Sequence, residues 1–548
     1  MQRGDIISFA ADRRLAITLG LLTGVVMLPA LIFPFPPLLD YPNHLARIWL
    51  IEGGIDIAPV NTFYLEDWSH VGSGIGVDLA AKTLGHFVAP FTLGGILLVL
   101  STLLPPLGAV ALNARVFRGL NAWQPFFLMF WCSQTLVAGF LNFQIGLGTA
   151  LLAAAADDTL RARGPWALHG GRLALGVFLV VVHPFALLFY AVLLAALGFG
   201  RSMPGRSEIA ARLSHGVGAA AVCLVPVALF FLRVRAVPGL ADKTAQLVSY
   251  TDPLSAFQAM VSPFASYDLK IDALFMLPFL ALTVAALMRR RISAHAGLLL
   301  AAAVLAAIAP FMPKMVSHTG WMNFRLPLMA VLTALAATRL DFGGRNEARL
   351  LATAAALVML RTAWIGLNWS ASVPMIDSMR QVLAHVPLGA KILPMRHLTA
   401  DDYFTFAALG RRTALLDATY RHYPSLALPW RHAFTPMLFA QYGEKPITLR
   451  PPYDKIGRPT GGVLPSVHAL NDPNLAGHDT PYIGQWRRDF DYVLVLNADE
   501  PDVNGPFLPP ADLMLVSDHG FAQLFRVLDA HPGGFAKGPA ARASSRDS

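Results

Sequence analysis

Phe35-Pro36-Pro37-Leu38-Leu39-Asp40-Tyr41-Pro42-Asn43-His44-Leu45-Ala46-Arg47 follows directly on the apolar run Leu15–Phe33. That run has the length of a bilayer crossing, which takes about 20 residues. Prolines then break the chain, and a carboxylate appears where hydrocarbon gives way to water. Asp40, Asn43, His44 and Arg47 recur at helical spacing, so they share one side of a short helix. A polar face of this kind is costly against lipid unless it borders a wet cavity. An interfacial helix would carry Lys and Arg there instead of Asp and His. The plainer reading of Asp40 is a helix N-cap, with Pro42 tolerated in the first turn.

The rest of the chain sets this segment in a membrane. It has 548 residues, 55% hydrophobic and 14% charged, with mean hydropathy +0.51. Soluble domains carry roughly 25% charge. The formal net charge of +9 comes from small basic groups scattered between apolar runs. Such scatter fits cytoplasmic anchoring rather than nucleic-acid binding. Cys132 and Cys223 both fall in apolar stretches, which argues against a disulfide framework or a zinc site. Leu15–Phe33 reads as a retained first helix rather than a secretory signal, since no A-x-A-like site precedes the prolines.

Apolar runs recur at 15–33, 90–112, 122–140, 142–157, 172–183, 184–200, 213–232, 271–288, 295–312, 325–340 and 350–367. They predict about eleven spans. Arginine placement puts the N-terminus inside if His183-Pro184 splits two short helices, because proline disfavours helical geometry in the residue before it. The non-cytoplasmic side then receives loop 34–89, loop 233–270, the connection 313–324, and everything after about Asn368. The segment 368–530 gains Asp, Arg, His and Pro and reads as a small α/β domain. Its expected helix is 376–385, and its expected strands are 390–394, 413–416, 492–497, 513–517 and 523–527. Residues 531–548 have the composition of a disordered tail.

Several polar groups lie on the same side as Asp40. Glu66 and Asp67 read either as a solvated turn or as a second carboxylate, which would also suit a divalent ion such as Mg²⁺ or Mn²⁺. Gln134, Asn142 and Gln144 are amides that more simply tie helices together. His183 stands at the proposed helix break, where an ionisable group is a candidate for function. Lys314, His318 and Arg325 gather at the outer ends of two spans, against the positive-inside trend. An arginine there would either snorkel to headgroups or grip phosphate with its fork of donors. Asp417-Ala418-Thr419-Tyr420-Arg421-His422-Tyr423-Pro424 is a candidate contact loop of the C-terminal domain.

On the motif Pro37-Leu38-Leu39-Asp40-Tyr41 and this layout, the chain resembles the GT-C superfamily of integral-membrane glycosyltransferases. It looks like the branch holding the protein mannosyltransferases and the aminoarabinose transferases of lipid A. The resemblance implies a first-loop catalytic acid, helices of uneven length, a C-terminal extracytoplasmic α/β domain and sugar donors on polyprenyl phosphate. Asp40 matches the catalytic carboxylate, and Arg325 looks like the donor-phosphate arginine. Many members carry an acidic pair in the first loop, whereas here Tyr41 follows Asp40, leaving Glu66 or Asp67 for the second acid and any metal.

The function expected is transfer of a sugar to an envelope lipid, glycan or protein acceptor on the periplasmic side of a bacterial inner membrane. Asp40 would act as general base with inversion at the sugar carbon. His44, Arg47, Glu66, Asp67, His183, Lys314, His318 and Arg325 would contact substrate. The rivals are a polytopic transporter or lipid flippase, which predicts inverted repeats that the sequence does not display, and a non-catalytic envelope scaffold.

Overall fold

In the computed structural model the described residues are 3–200, 208–236, 248–316, 320–341, 345–399, 409–415, 417–476 and 480–528. The first apolar run forms helix α1 (Arg3–Ile32). The Pro-rich segment ends it, and α2 (Tyr41–Ile51) follows with Pro42 in its first turn. The bundle continues with α3 (Gly76–Leu84), α4 (Pro90–Val116), α5 (Leu141–Ala162), α6 (Pro165–Val182) and α7 (Pro184–Gly200). Next come α8 (Glu208–Ala220), α9 (Leu224–Ala236), α10 (Leu269–Met288), α11 (Ala296–Ile308), α12 (Arg325–Ala337) and α13 (Arg345–Leu383). Six stretches among the described residues are long and apolar enough to cross a bilayer: 13–32, 90–116, 165–182, 209–233, 269–288 and 346–383. Residues 184–200, 296–311 and 322–337 are shorter apolar helices.

Three expectations change. The run 122–140 is not a span. It forms a 3-10 segment, Gln124–Trp131, and a single turn, Gln134–Val137, both buried. Its hydrophobicity serves packing, with Trp123 stacked on Phe279 at 5.1 Å. Second, the expected span 350–367 and helix 376–385 merge into α13, so the boundary drawn at 367/368 falls inside one continuous helix. Third, 413–415 is not a strand but a turn region after an isolated bridge between Arg412 and Ala418. The break at His183-Pro184 does occur, with His183 extended (φ −167°, ψ 130°) between α6 and α7. The tail 531–548 lies outside the described residues.

Two arginine–aspartate pairs neutralise charge inside the bundle, as hydrocarbon favours. Arg361 donates to Asp272 (2.8 Å) and to the carbonyls of Cys132 and Phe264. Arg172 grips Asp157 with two bonds of 2.7 and 3.0 Å. These buried pairs fix helix register.

The C-terminal domain is built on a four-stranded sheet. Strand β1 (Tyr64–Glu66) belongs to the first loop; β2 (Ile392–Arg396), β3 (Ile447–Leu449), β4 (Tyr492–Leu496), β5 (Leu513–Asp518) and β6 (Ala522–Val527) belong to the domain. The sheet order is β2-β4-β6-β5, with β2 and β4 parallel and the other pairs antiparallel. Strand β1 pairs antiparallel with β3 in the register Tyr64↔Leu449, Leu65↔Thr448 and Glu66↔Ile447. The first loop and the C-terminal domain are therefore joined by a ladder of backbone bonds. Helix α2 packs beneath the 3-10 segment Thr419–Leu426 of the domain.

Candidate active site at the membrane–domain junction

The approach to Asp40 is pinned along its backbone. The Leu39 amide donates to the Val137 carbonyl (2.9 Å) and the Asp40 amide to Ala138 (3.1 Å). The Tyr267 hydroxyl donates to the Pro37 carbonyl (3.2 Å). Asp40 occupies the N-cap position of α2, but its backbone is already helical (φ −89°, ψ −8°) and its side chain makes no capping bond. The carboxylate is thus free of the plain structural task and keeps a side-chain exposure of 21%.

Four cations act on that carboxylate: Arg421, Lys445, Arg47 and Arg325, in decreasing order. They come from four parts of the chain, namely the 3-10 segment above α2, the loop before β3, α2 itself and the start of α12. Burial outweighs them and pushes Asp40 up to about 7. A carboxyl group poised there is half ionised at neutral pH and matched to proton transfer. The Lys445 ammonium is pushed down, first by burial and then by Arg47.

No family model matches the chain, and no curated protein matches it in sequence. In architecture it is similar to ArnT from Cupriavidus metallidurans, whose crystal structure is of the apo state. The TM-score is 0.51 at 12% sequence identity, and the match covers 97% of this chain and 100% of that one. Its fold is ArnT-like. The uneven helices and the strand-containing C-terminal domain expected from the sequence are both present.

The fold brings some of the expected residues to Asp40 and takes others elsewhere. Arg325 opens α12 and is buried, with its guanidinium over Phe140 (4.8 Å), Phe185 (5.5 Å) and Phe143 (5.8 Å). Its Nη1 donates to the Gly320 carbonyl (3.1 Å), and its Nε has no protein partner. His183 accepts the Phe185 amide on Nδ1 (3.1 Å) and shares the neighbourhood of Arg325 and Lys445. His44 is buried against the Gly139 backbone; burial, Arg47 and Lys445 hold it neutral, well below the usual histidine range.

Arg47 is withdrawn from direct contact. It is fully buried, and both Nε (2.9 Å) and Nη2 bind Oδ1 of Asp78 on α3. It reaches Asp40 through its field. Glu66 is engaged by Lys82 (2.8 Å) and the Trp68 indole (2.6 Å), and Asp67 accepts the Ser69 amide within its own turn. Glu66 closes strand β1 and Asp67 lies in the turn after it, and among the described residues no three His, Cys, Asp or Glu side chains converge as a metal ion needs. Lys314 stacks over Trp321 (4.6 Å), and His318 lies outside the described residues. Asn142 bonds the Val77 amide and the Gly74 carbonyl, while Gln144 bonds Thr135. These amides hold the loop and helices together.

Sequence reasoning missed Lys445 and Asp78. Gly443-Glu444-Lys445-Pro446 reads as an ordinary exposed turn. Only the β1–β3 ladder, with the Gly443 amide bonded to His70 (3.0 Å), carries it toward Asp40.

Proposed function

We propose that this protein is a membrane glycosyltransferase that moves a sugar from a polyprenyl-phosphate donor to an envelope lipid, glycan or protein acceptor on the periplasmic side. The observation that carries this reading is one carboxylate poised near neutrality among four cations, where the first loop of an apolar bundle meets a polar domain. A lipid-borne donor needs that boundary. Its tail stays in hydrocarbon while the sugar phosphate meets charge.

In the proposed reaction the acceptor oxygen forms a bond to the anomeric carbon, and the bond from that carbon to the phosphate oxygen breaks. The electron pair of the broken bond stays on the phosphate. Asp40 takes the acceptor hydroxyl proton. The cations, Arg325 above all, offset the charge growing on the leaving phosphate in a partly dehydrated site. Phosphate leaves without protonation, so one carboxylate suffices, whereas glycoside hydrolases need two. Attack from the face opposite the phosphate gives inversion. Arg325 suits the phosphate because an aromatic cup of Phe140, Phe143 and Phe185 orients its planar fork.

The test uses full-length protein in proteoliposomes with a polyprenyl-phosphate sugar and a membrane extract as acceptor. Release of polyprenyl phosphate is expected, and Asp40→Asn should lower turnover ~10²–10⁴-fold. Full turnover in the Asn variant would remove Asp40 as base.

A further inference from the structure

The C-terminal domain contributes one group that faces Asp40 directly. His422 lies in the 3-10 segment above α2, almost fully buried, with its Nε2 at 3.5 Å from Asp40 Oδ1. Its other nitrogen, Nδ1, lies 3.1 Å from Asn43 Nδ2. Asn43 settles which of the two carries the proton. The Asn43 Oδ1 accepts the Phe439 amide (2.8 Å), and its Nδ2 donates to the Met437 carbonyl (3.1 Å). Two backbone groups of opposite polarity thus fix the amide so that it presents N–H to His422. Nδ1 must be the bare, accepting nitrogen, and a neutral ring then carries its hydrogen on Nε2.

The ring cannot readily turn away. Phe439 meets it edge-on at 5.0 Å. Behind it sits Gly461 (φ +75°), where a β-carbon would lie 2.9 Å from His422 Cε1. Burial, Arg421 and Arg458 keep the imidazole neutral, well below the usual histidine range. At 3.5 Å the Nε2–Oδ1 contact is long, and a shift of about 0.5 Å brings it to hydrogen-bond length. Such contacts tighten when substrate is bound.

We infer that His422 is the positioning residue for Asp40: its Nε2–H, locked in that tautomer by Asn43, donates to one carboxylate oxygen and leaves the other for the acceptor hydroxyl. This rests on the glycosyl-transfer reading for its consequence in turnover, but not for the contact itself. His422 is not a second base, because Nε2 already bears hydrogen and Nδ1 is occupied by Asn43. The C-terminal domain then completes the catalytic group rather than merely covering it, and the domain and the first loop work only when joined.

The experiment separates the two ideas. Infrared difference spectra of the full-length protein in nanodiscs report protonation of Asp40 through the carboxyl band that Asp40→Asn removes. The charged groups acting on Asp40 are Arg421, Lys445, Arg47 and Arg325, and all are retained in the variants. Removing a donor to the charged form disfavours it. His422→Phe should therefore raise the Asp40 midpoint by about one unit, and His422→Gln, which keeps an N–H donor, should restore much of the shift. Nitrogen spectra of the wild-type ring should show hydrogen on Nε2. The acidic limb of the rate should move with the Asp40 midpoint, and kcat should fall while donor KM holds. An unchanged midpoint in a folded His422→Phe protein, or hydrogen on Nδ1, would overturn the inference. If instead the wild-type protein releases no polyprenyl phosphate while His422→Phe still shifts the band, the glycosyl-transfer reading fails and the contact stands; full turnover in Asp40→Asn would remove only the base assignment.

Discussion

Gly139 supports Asp40 from below at a distance that no side chain would permit. Its backbone is left-handed (φ +82°), and a β-carbon there would lie 2.7 Å from the Asp40 amide nitrogen and 3.0 Å from its Cα. Gly139→Ala must push the Asp40 turn outward as well as strain its own backbone. Displacement of a reacting group by about 1 Å is worth ~10²-fold in rate. We expect kcat to fall by about that factor in a variant that still inserts and purifies as a folded protein. Wild-type kcat in Gly139→Ala would show that this turn does not set the base.

The pH dependence follows from Asp40 being held at about 7 instead of its ordinary 3.8. The base form is needed for turnover, so kcat/KM should rise with pH and level off above about 7. Stability runs the other way. Between pH 4 and 7 the folded state holds a proton that the unfolded chain has lost, so stability falls as pH rises through that window. Asp40→Asn should therefore be more stable than wild type at pH 8, by on the order of 1–4 kcal/mol in denaturant unfolding, and the difference should narrow at pH 5. A gain that grows toward acid pH would contradict the raised value.

Arg325 is buried under three phenyl rings with its Nε lacking a protein partner. Loss of a guanidinium that binds phosphate should weaken donor use. Arg325→Ala is expected to lower kcat/KM for the donor roughly 10²-fold. Arg325→Lys should recover little, because a point charge lacks the planar fork that the rings orient. Steady-state kinetics with varied donor would decide, and unchanged donor parameters in Arg325→Ala would take it out of the site.

The Arg47–Asp78 pair is fully buried on both sides. Removing one partner leaves an uncompensated charge, so Asp78→Ala should cost about 3–5 kcal/mol. Replacing both, as Arg47→Met with Asp78→Leu, should recover most of the loss. It should also raise the Asp40 midpoint, since Arg47 is one of four cations that lower it. Thermal melts of the single and double variants, with the Asp40 carboxyl band as second readout, test both halves. An unmoved midpoint in the double variant would show that Arg47 has no influence on the base.

The layout of the helical bundle was legible because hydropathy acts locally. The proline break after α1, the polar face of α2 and the split at His183-Pro184 can each be read within a few residues. The strands β2, β4, β5 and β6 were legible for the same reason. The segment 122–140 misled because a buried apolar stretch and a spanning one share a composition. Only its packing against Phe279 and its neighbours tells them apart. Likewise, the helix that became α13 was cut in two because its outer half turns polar where it leaves the bundle.

The sequence by itself determined that a carboxylate stands at the water edge of the first helix, since apolar length and a proline stop are properties of neighbouring residues. Tertiary structure alone decided what surrounds it. Arg421 and His422 come from nearly four hundred residues away, and Lys445 arrives through the pairing of Tyr64–Glu66 with Ile447–Leu449. Arg47, on the expected face, was turned instead toward Asp78. Coulomb energy and desolvation depend on distance in space, and no local pattern records which distant charges the fold brings within reach.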